Sequence, residues 1–81
     1  GMSHTKDGRE FERHYLSYES RHNPYAIFTH IQKDGSKFHS VSGYNYKAKK
    51  NVSFIFDSYD EAHKKLRELP SPDGYREKRI R

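Results

Sequence analysis

Strand-like alternation is clearest over residues 25–32, Tyr-Ala-Ile-Phe-Thr-His-Ile-Gln, a run rich in aromatic and β-branched side chains. A second such run extends from Lys37 to about Tyr44, and between them lies Lys33-Asp34-Gly35-Ser36. Asp-Gly between two strand patterns predicts a β-hairpin closed by a two-residue type I′ turn, in which both central residues take positive φ. Residues 45–51 read as a basic loop, and Val52 to Asp57 as a third strand.

A helix follows. Ser58 and Glu61 have capping-box spacing. Asp60 and Glu61 suit the positive end of the helix dipole. Tyr59, Ala62, Leu66 and Leu69 fall on one stripe, and Pro70-Ser71-Pro72 ends the element. Upstream, Phe11, Tyr15 and Tyr18 have helical spacing. The run His14-Tyr15-Leu16-Ser17-Tyr18 is nevertheless rich in strand formers, so residues 11–19 are read as a strand. Asn23-Pro24 separates it from the next strand. The fold class is α+β: a small antiparallel sheet of three to four strands with one C-terminal helix packed on one face. The domain spans 11–70. Residues 1–10 read as a disordered arm opening on a tag scar at Gly1-Met2, and 71–81 as a basic tail.

The predicted turn sets a register. Ile31 would oppose Phe38, His30 would oppose His39, Phe28 would oppose Val41, and Tyr25 would oppose Tyr44. One face then holds Tyr25, Ile27, Thr29, Ile31, Phe38, Ser40 and Tyr44, under Ala62, Leu66 and Leu69. The other holds Phe28, His30, Gln32, Lys37, His39 and Val41. This second face is open to solvent or a partner, unless the first segment or a dimer mate covers it.

Composition narrows the chemistry. The chain has 81 residues, enough for one domain, and aromatics are 15%, so rings supply much of the core. It has no cysteine, which removes disulfides, thiolate zinc sites and cysteine nucleophiles. The net charge of +5, with six histidines beyond it, suits an anionic partner. The longest apolar runs, Ala26-Ile27-Phe28 and Phe54-Ile55-Phe56, are far too short to span a membrane. The expected location is intracellular, cytoplasmic or in the nucleoid or nucleus.

Phe28, His30, Lys37 and His39 on one sheet face combine a stacking ring with cations, as nucleic-acid-binding sheets do. The loop adds Tyr44, Tyr46, Lys47, Lys49 and Lys50, a set suited to stacking and phosphate contact. The expected function is non-enzymatic binding of DNA or RNA, without cofactor or metal. The alternative is a protein-interaction module, a homodimer or a small regulator of a larger enzyme, anchored by Phe28 and Val41. A metal-free ribonuclease is the third reading, with His30 and His39 as acid and base and Lys37 for the phosphorane charge. His30 and His39 with His14 or His22 have no spacing that calls for zinc. The chain has no Gly-x-Ser-x-Gly elbow and no glycine-rich phosphate loop.

From Tyr25 to Leu69, the three strands lead into a helix opening with Phe56-Asp57-Ser58-Tyr59-Asp60-Glu61-Ala62. This plan is similar in outline to the DNA-binding domains of plant ethylene-response factors and the arm-binding domains of phage integrases. The resemblance implies a sheet that reads the DNA major groove. The loop between the second and third strands is longer here, and the arginine-rich strand pattern is missing. The strand-to-helix junction and Gly74-Tyr75 also resemble the tryptophan-glycine-arginine domain, though this chain has no tryptophan.

Overall fold

The computed structural model describes residues 3–5 and 8–70. Its main sheet has four antiparallel strands in the order β3-β4-β5-β6. These are β3 (Arg13–Glu19), β4 (Tyr25–Ile31), β5 (Lys37–Asn45) and β6 (Lys50–Phe56). Helix α1 (Tyr59–Glu68) follows. Two short strands, β1 (Ser3–His4) and β2 (Glu10–Phe11), pair with each other before the sheet begins. Part of the segment expected to be disordered is therefore ordered. The physical reason is Phe11, which is only 6% exposed and anchors the segment. The basic tail over 71–81 lies outside the described residues.

The hairpin between β4 and β5 corrects the predicted register by one residue. Its loop has three residues, Lys33-Asp34-Gly35, and only Gly35 takes positive φ, at 89°. Gly35 N–H donates to the Gln32 carbonyl, and Gln32 N–H donates to the Ser36 carbonyl. This is a type I turn followed by a glycine bulge. A type I′ turn would force Asp34 itself to positive φ, which costs a non-glycine residue energy. Here the Asp34 carboxylate instead accepts from Ser36 N–H at 2.9 Å and from Ser36 Oγ at 2.6 Å. Those bonds hold its carboxyl below the usual range.

A one-residue slip moves every β5 side chain to the opposite face. Thr29 now opposes His39, His30 opposes Phe38, Ile27 opposes Val41 and Phe28 opposes Ser40. Val41 joins Tyr25, Ile27, Ala62 and Leu66 in a buried cluster, with Val52, Phe56 and Leu69 packed against it. Lys37 and His39 share Val41's side of the sheet by alternation. Phe38, Ser40 and Tyr44 go to the side of Phe28 and His30.

Local chemistry fixes α1 at both ends. Ser58 Oγ accepts from Glu61 N–H at 3.0 Å, as an N-cap should. At the other end, buried Asn23 donates from Nδ2 to the carbonyls of Leu66 and Leu69. Asn23 Oδ1 also accepts from Tyr25 N–H, so one side chain ties the helix end to the start of β4. Gly43 sits where β5 passes the same bend. A Cβ there would lie 2.3 Å from the Pro24 carbonyl oxygen and 2.9 Å from Tyr25 Cα. Gly43→Ala is therefore expected to destabilise the fold by about 1–3 kcal/mol, read from urea denaturation.

Candidate functional site

The side of the sheet bearing Phe28 divides into a covered half and an open half. In the covered half His30, Phe38 and Phe11 form a ring cluster. His30 stacks on Phe38 with centroids 4.7 Å apart and planes 7° from parallel, and Phe11 meets His30 edge-on at 4.5 Å. Arg9 lies 4.1 Å above the Phe38 ring, and its Nη2 donates to Asp57 Oδ1 at 2.9 Å. His14 lies beside His30 at 5.6 Å. Phe38 is fully buried and His30 is 6% exposed.

His30 is thus part of a second core, not a surface residue. Its Nε2 shares a 2.8 Å hydrogen bond with Ser40 Oγ, while Nδ1 is buried without a partner. Burial lowers its pKa to about 4, with His14, His39 and Arg9 adding repulsion. The imidazole is neutral near pH 7 and offers no positive charge to a ligand.

Two cross-strand rows make up the open half. Leu16, Phe28, the buried Ser40 and Ile55 form one row, and Glu19, Ala26, Ser42 and Ser53 the next, so a carboxylate stands at its β3 edge. Tyr44, opposite Asn51, follows on the same side. Its ring meets Tyr46 edge-on at 4.8 Å. The loop beyond is held by Asn45. Its Oδ1 accepts from the backbone N–H groups of Lys47 and Ala48, and its carbonyl accepts from Lys49 N–H. Lys49 takes φ 57°, completing the turn that returns the chain at Lys50. Lys47 and Lys49 are exposed.

The candidate residues fall into three groups. Phe28, Tyr44, Tyr46, Lys47 and Lys49 lie on the open half or the loop at its end, whereas Lys50, paired with Asn45 at the loop's base, shares the side of Val52 by alternation. His30 is enclosed. Lys37 and His39 are on the opposite side, where His39 Nδ1 hydrogen-bonds Thr29 Oγ1 at 3.0 Å and its ring abuts Tyr59 at 5.7 Å. Burial, then the Lys37 charge, lower the His39 pKa. The sheet therefore separates His30 from His39 and Lys37, and the acid–base–cation trio of a ribonuclease does not assemble. The same separation keeps His30 and His39 from sharing a ligand. Among the described residues no group of three or more His, Cys, Asp or Glu is placed to hold a metal ion.

Sequence reading missed three residues that shape this surface. Arg9 and Phe11 decide how much of it is covered. Leu16, 51% exposed, extends the apolar row beside Phe28. Alternation along β3 was the available signal for Leu16, but it required knowing the strand pairing, and Arg9 and Phe11 precede that strand. Among the described residues no helix is long and apolar enough to cross a membrane. No family model, curated protein or solved structure matches the chain.

Proposed function

We propose that the open half of the sheet binds single-stranded nucleic acid, with bases on Phe28, Tyr44 and Tyr46 and phosphates on Lys47 and Lys49. The observation that carries this reading is the shared side of the rings. Phe28 and Tyr44 lie on one side of the sheet, which ends in the tyrosine pair and the lysine loop and carries Glu19 only at its β3 edge. Tyr44 lies four residues along β5 from Phe28's partner Ser40, a separation of about 14 Å. Two stacked bases with intervening nucleotides span such a distance. Ser42, Ser53 and Asn51 between the rings supply hydroxyl and amide groups for base edges. A duplex hides the base faces that rings stack on, which favours a single strand.

Fluorescence anisotropy with labelled single-stranded RNA and DNA, and a duplex control, tests this reading. Phe28→Ala and Tyr44→Ala should each weaken binding by roughly 5- to 150-fold, as loss of one stacked base does. Each of Lys47→Ala and Lys49→Ala should lower the slope of log K against log salt by about 0.7. Lys37→Ala, on the other side of the sheet, should leave the ring contacts intact. Absence of binding to any oligonucleotide, or affinity unchanged in both ring variants, would overturn the proposal.

A protein-contact reading draws on one specific observation, Leu16 beside Phe28 with Ile55 beyond Ser40 in the same row. Partner binding through that row would be weakened by Leu16→Ala and would be nearly independent of salt.

A further inference from the structure

The two edges of the sheet differ in a way that points to a partner. Edge strand β3 is irregular: its pairing shifts between Leu16 and Tyr18, and Arg13 and Glu19 stand at its ends. Bulges and charges of this kind keep sheet edges from pairing. Edge strand β6 has no such shift, and its one charged residue, Lys50, is the first of the strand. Its register with β5 is unbroken, and Val52-Ser53-Phe54-Ile55-Phe56 contains no charge and no proline. Among the described residues β6 pairs only with β5.

The phase of the ladder shows which backbone groups face outward. The Gln32–Ser36 hydrogen bond makes the even residues of β4 and β5 the hydrogen-bonded pairs between those strands. Odd residues of β5 therefore bond to β6, through Phe56, Phe54, Val52 and Lys50. The N–H and C=O groups of Asn51, Ser53 and Ile55 point away from the sheet, with those of Asp57 continuing the phase. Lys65 of α1 lies 4.6 Å over the Phe54 ring.

We propose that β6 pairs antiparallel with β6 of a second copy of this chain, about a two-fold axis at Phe54. Self-complementarity supports this occupant. An axis there sets Ser53 against Ile55 and Asn51 against Asp57, matching outward-facing groups with outward-facing groups. On the other side of the sheet it sets Phe54 against Phe54 and Val52 against Phe56, an unbroken apolar ladder. At the ends, Asn51 can donate to the opposing Asp57 carboxylate and Lys50 lies next to it, so the termini of the pairing attract. The result is one eight-stranded sheet with two open surfaces side by side. This inference does not rest on the nucleic-acid reading, and its test needs no nucleic acid.

Because the chain has no cysteine, single-cysteine variants report the geometry directly. Residues facing each other in a non-hydrogen-bonded pair have Cα atoms about 4.5 Å apart, within disulfide range. Phe54→Cys should therefore oxidise rapidly to a covalent dimer. Asn51→Cys, whose two copies would lie roughly 20 Å apart, should not. Sedimentation of the unmodified chain should show association to twice 9.7 kDa. Ser53→Pro removes only an outward N–H and should weaken association at least about tenfold, with the thermal melt of the monomer retained. A chain that stays at 9.7 kDa to several hundred micromolar would overturn the proposal, as it would if residues 71–81 occupied this edge. So would equal cross-linking of the two cysteine variants, a comparison that stands even if Ser53→Pro fails to fold.

Discussion

Phe38→Ala is expected to cost about 3–5 kcal/mol and to leave much of the chain unfolded at room temperature. Phe38 is completely buried, yet it lies on the side of the sheet away from the Tyr25–Val41 cluster. Its neighbours there are His30, Phe11 and the Arg9 guanidinium. Alanine would leave a ring-sized void under all three. A domain of this length has only a small margin to lose, since total stabilities run about 5–15 kcal/mol and short chains lie low in that range. Phe11→Ala should be costly for the same reason. The two losses should not add, because each ring is the other's packing surface. Urea denaturation of the single and double variants measures both terms. A Phe38→Ala protein within about 1 kcal/mol of the parent would contradict the second core.

Acid is expected to be the second large perturbation. The His30 imidazole takes a proton near 6.5 when unfolded but only near about 4 in the folded chain. Its folded pKa is depressed, so its contribution is fully present above 6.5 and is lost as pH falls toward 4. The whole gap is worth roughly 3 kcal/mol, of which about 2 kcal/mol should disappear between pH 7.5 and pH 5. The structural cause is that a protonated ring would place a charge among Phe11, Phe38, His14 and Arg9, with Nδ1 lacking an acceptor. His39, lowered by burial and by Lys37, adds to the loss in the same direction. His30→Leu should flatten most of the slope while costing stability at pH 7.5 through the lost Ser40 bond. Urea midpoints that do not move between pH 7.5 and pH 5 would contradict this account.

Much of the fold was legible because it depends on local signals. The β-rich run at Tyr25–Ile31, the Ser58 cap and the Pro70 stop each act within a few residues. The α+β class, the antiparallel strands and the C-terminal helix followed from them. The register did not follow, because it depends on a contest between two turn geometries. Asp34-Gly35 is compatible with both. The Asp34–Ser36 bonds and the avoidance of positive φ at Asp34 select the three-residue loop. That single residue decided every side-chain assignment on β5. It took His39 and Lys37 out of the candidate site and brought Tyr44 into line with Phe28. The covering of His30 was illegible for a different reason. It depends on Phe11 crossing to a strand far away in sequence, and the polar residues around Phe11 carry no sign of that destination.

The open surface is the centre of the account, and a backbone amide NMR titration with a short single-stranded oligonucleotide tests it most directly. The expected shifts fall on Leu16, Ala26, Phe28, Ser42, Ser53 and Tyr44, and on the loop from Tyr46 to Lys50, and they shrink as salt rises. His39, Tyr59 and His63, on the far side of the sheet, should stay in place. Shifts centred on those three residues, or none at millimolar oligonucleotide in low salt, would contradict it.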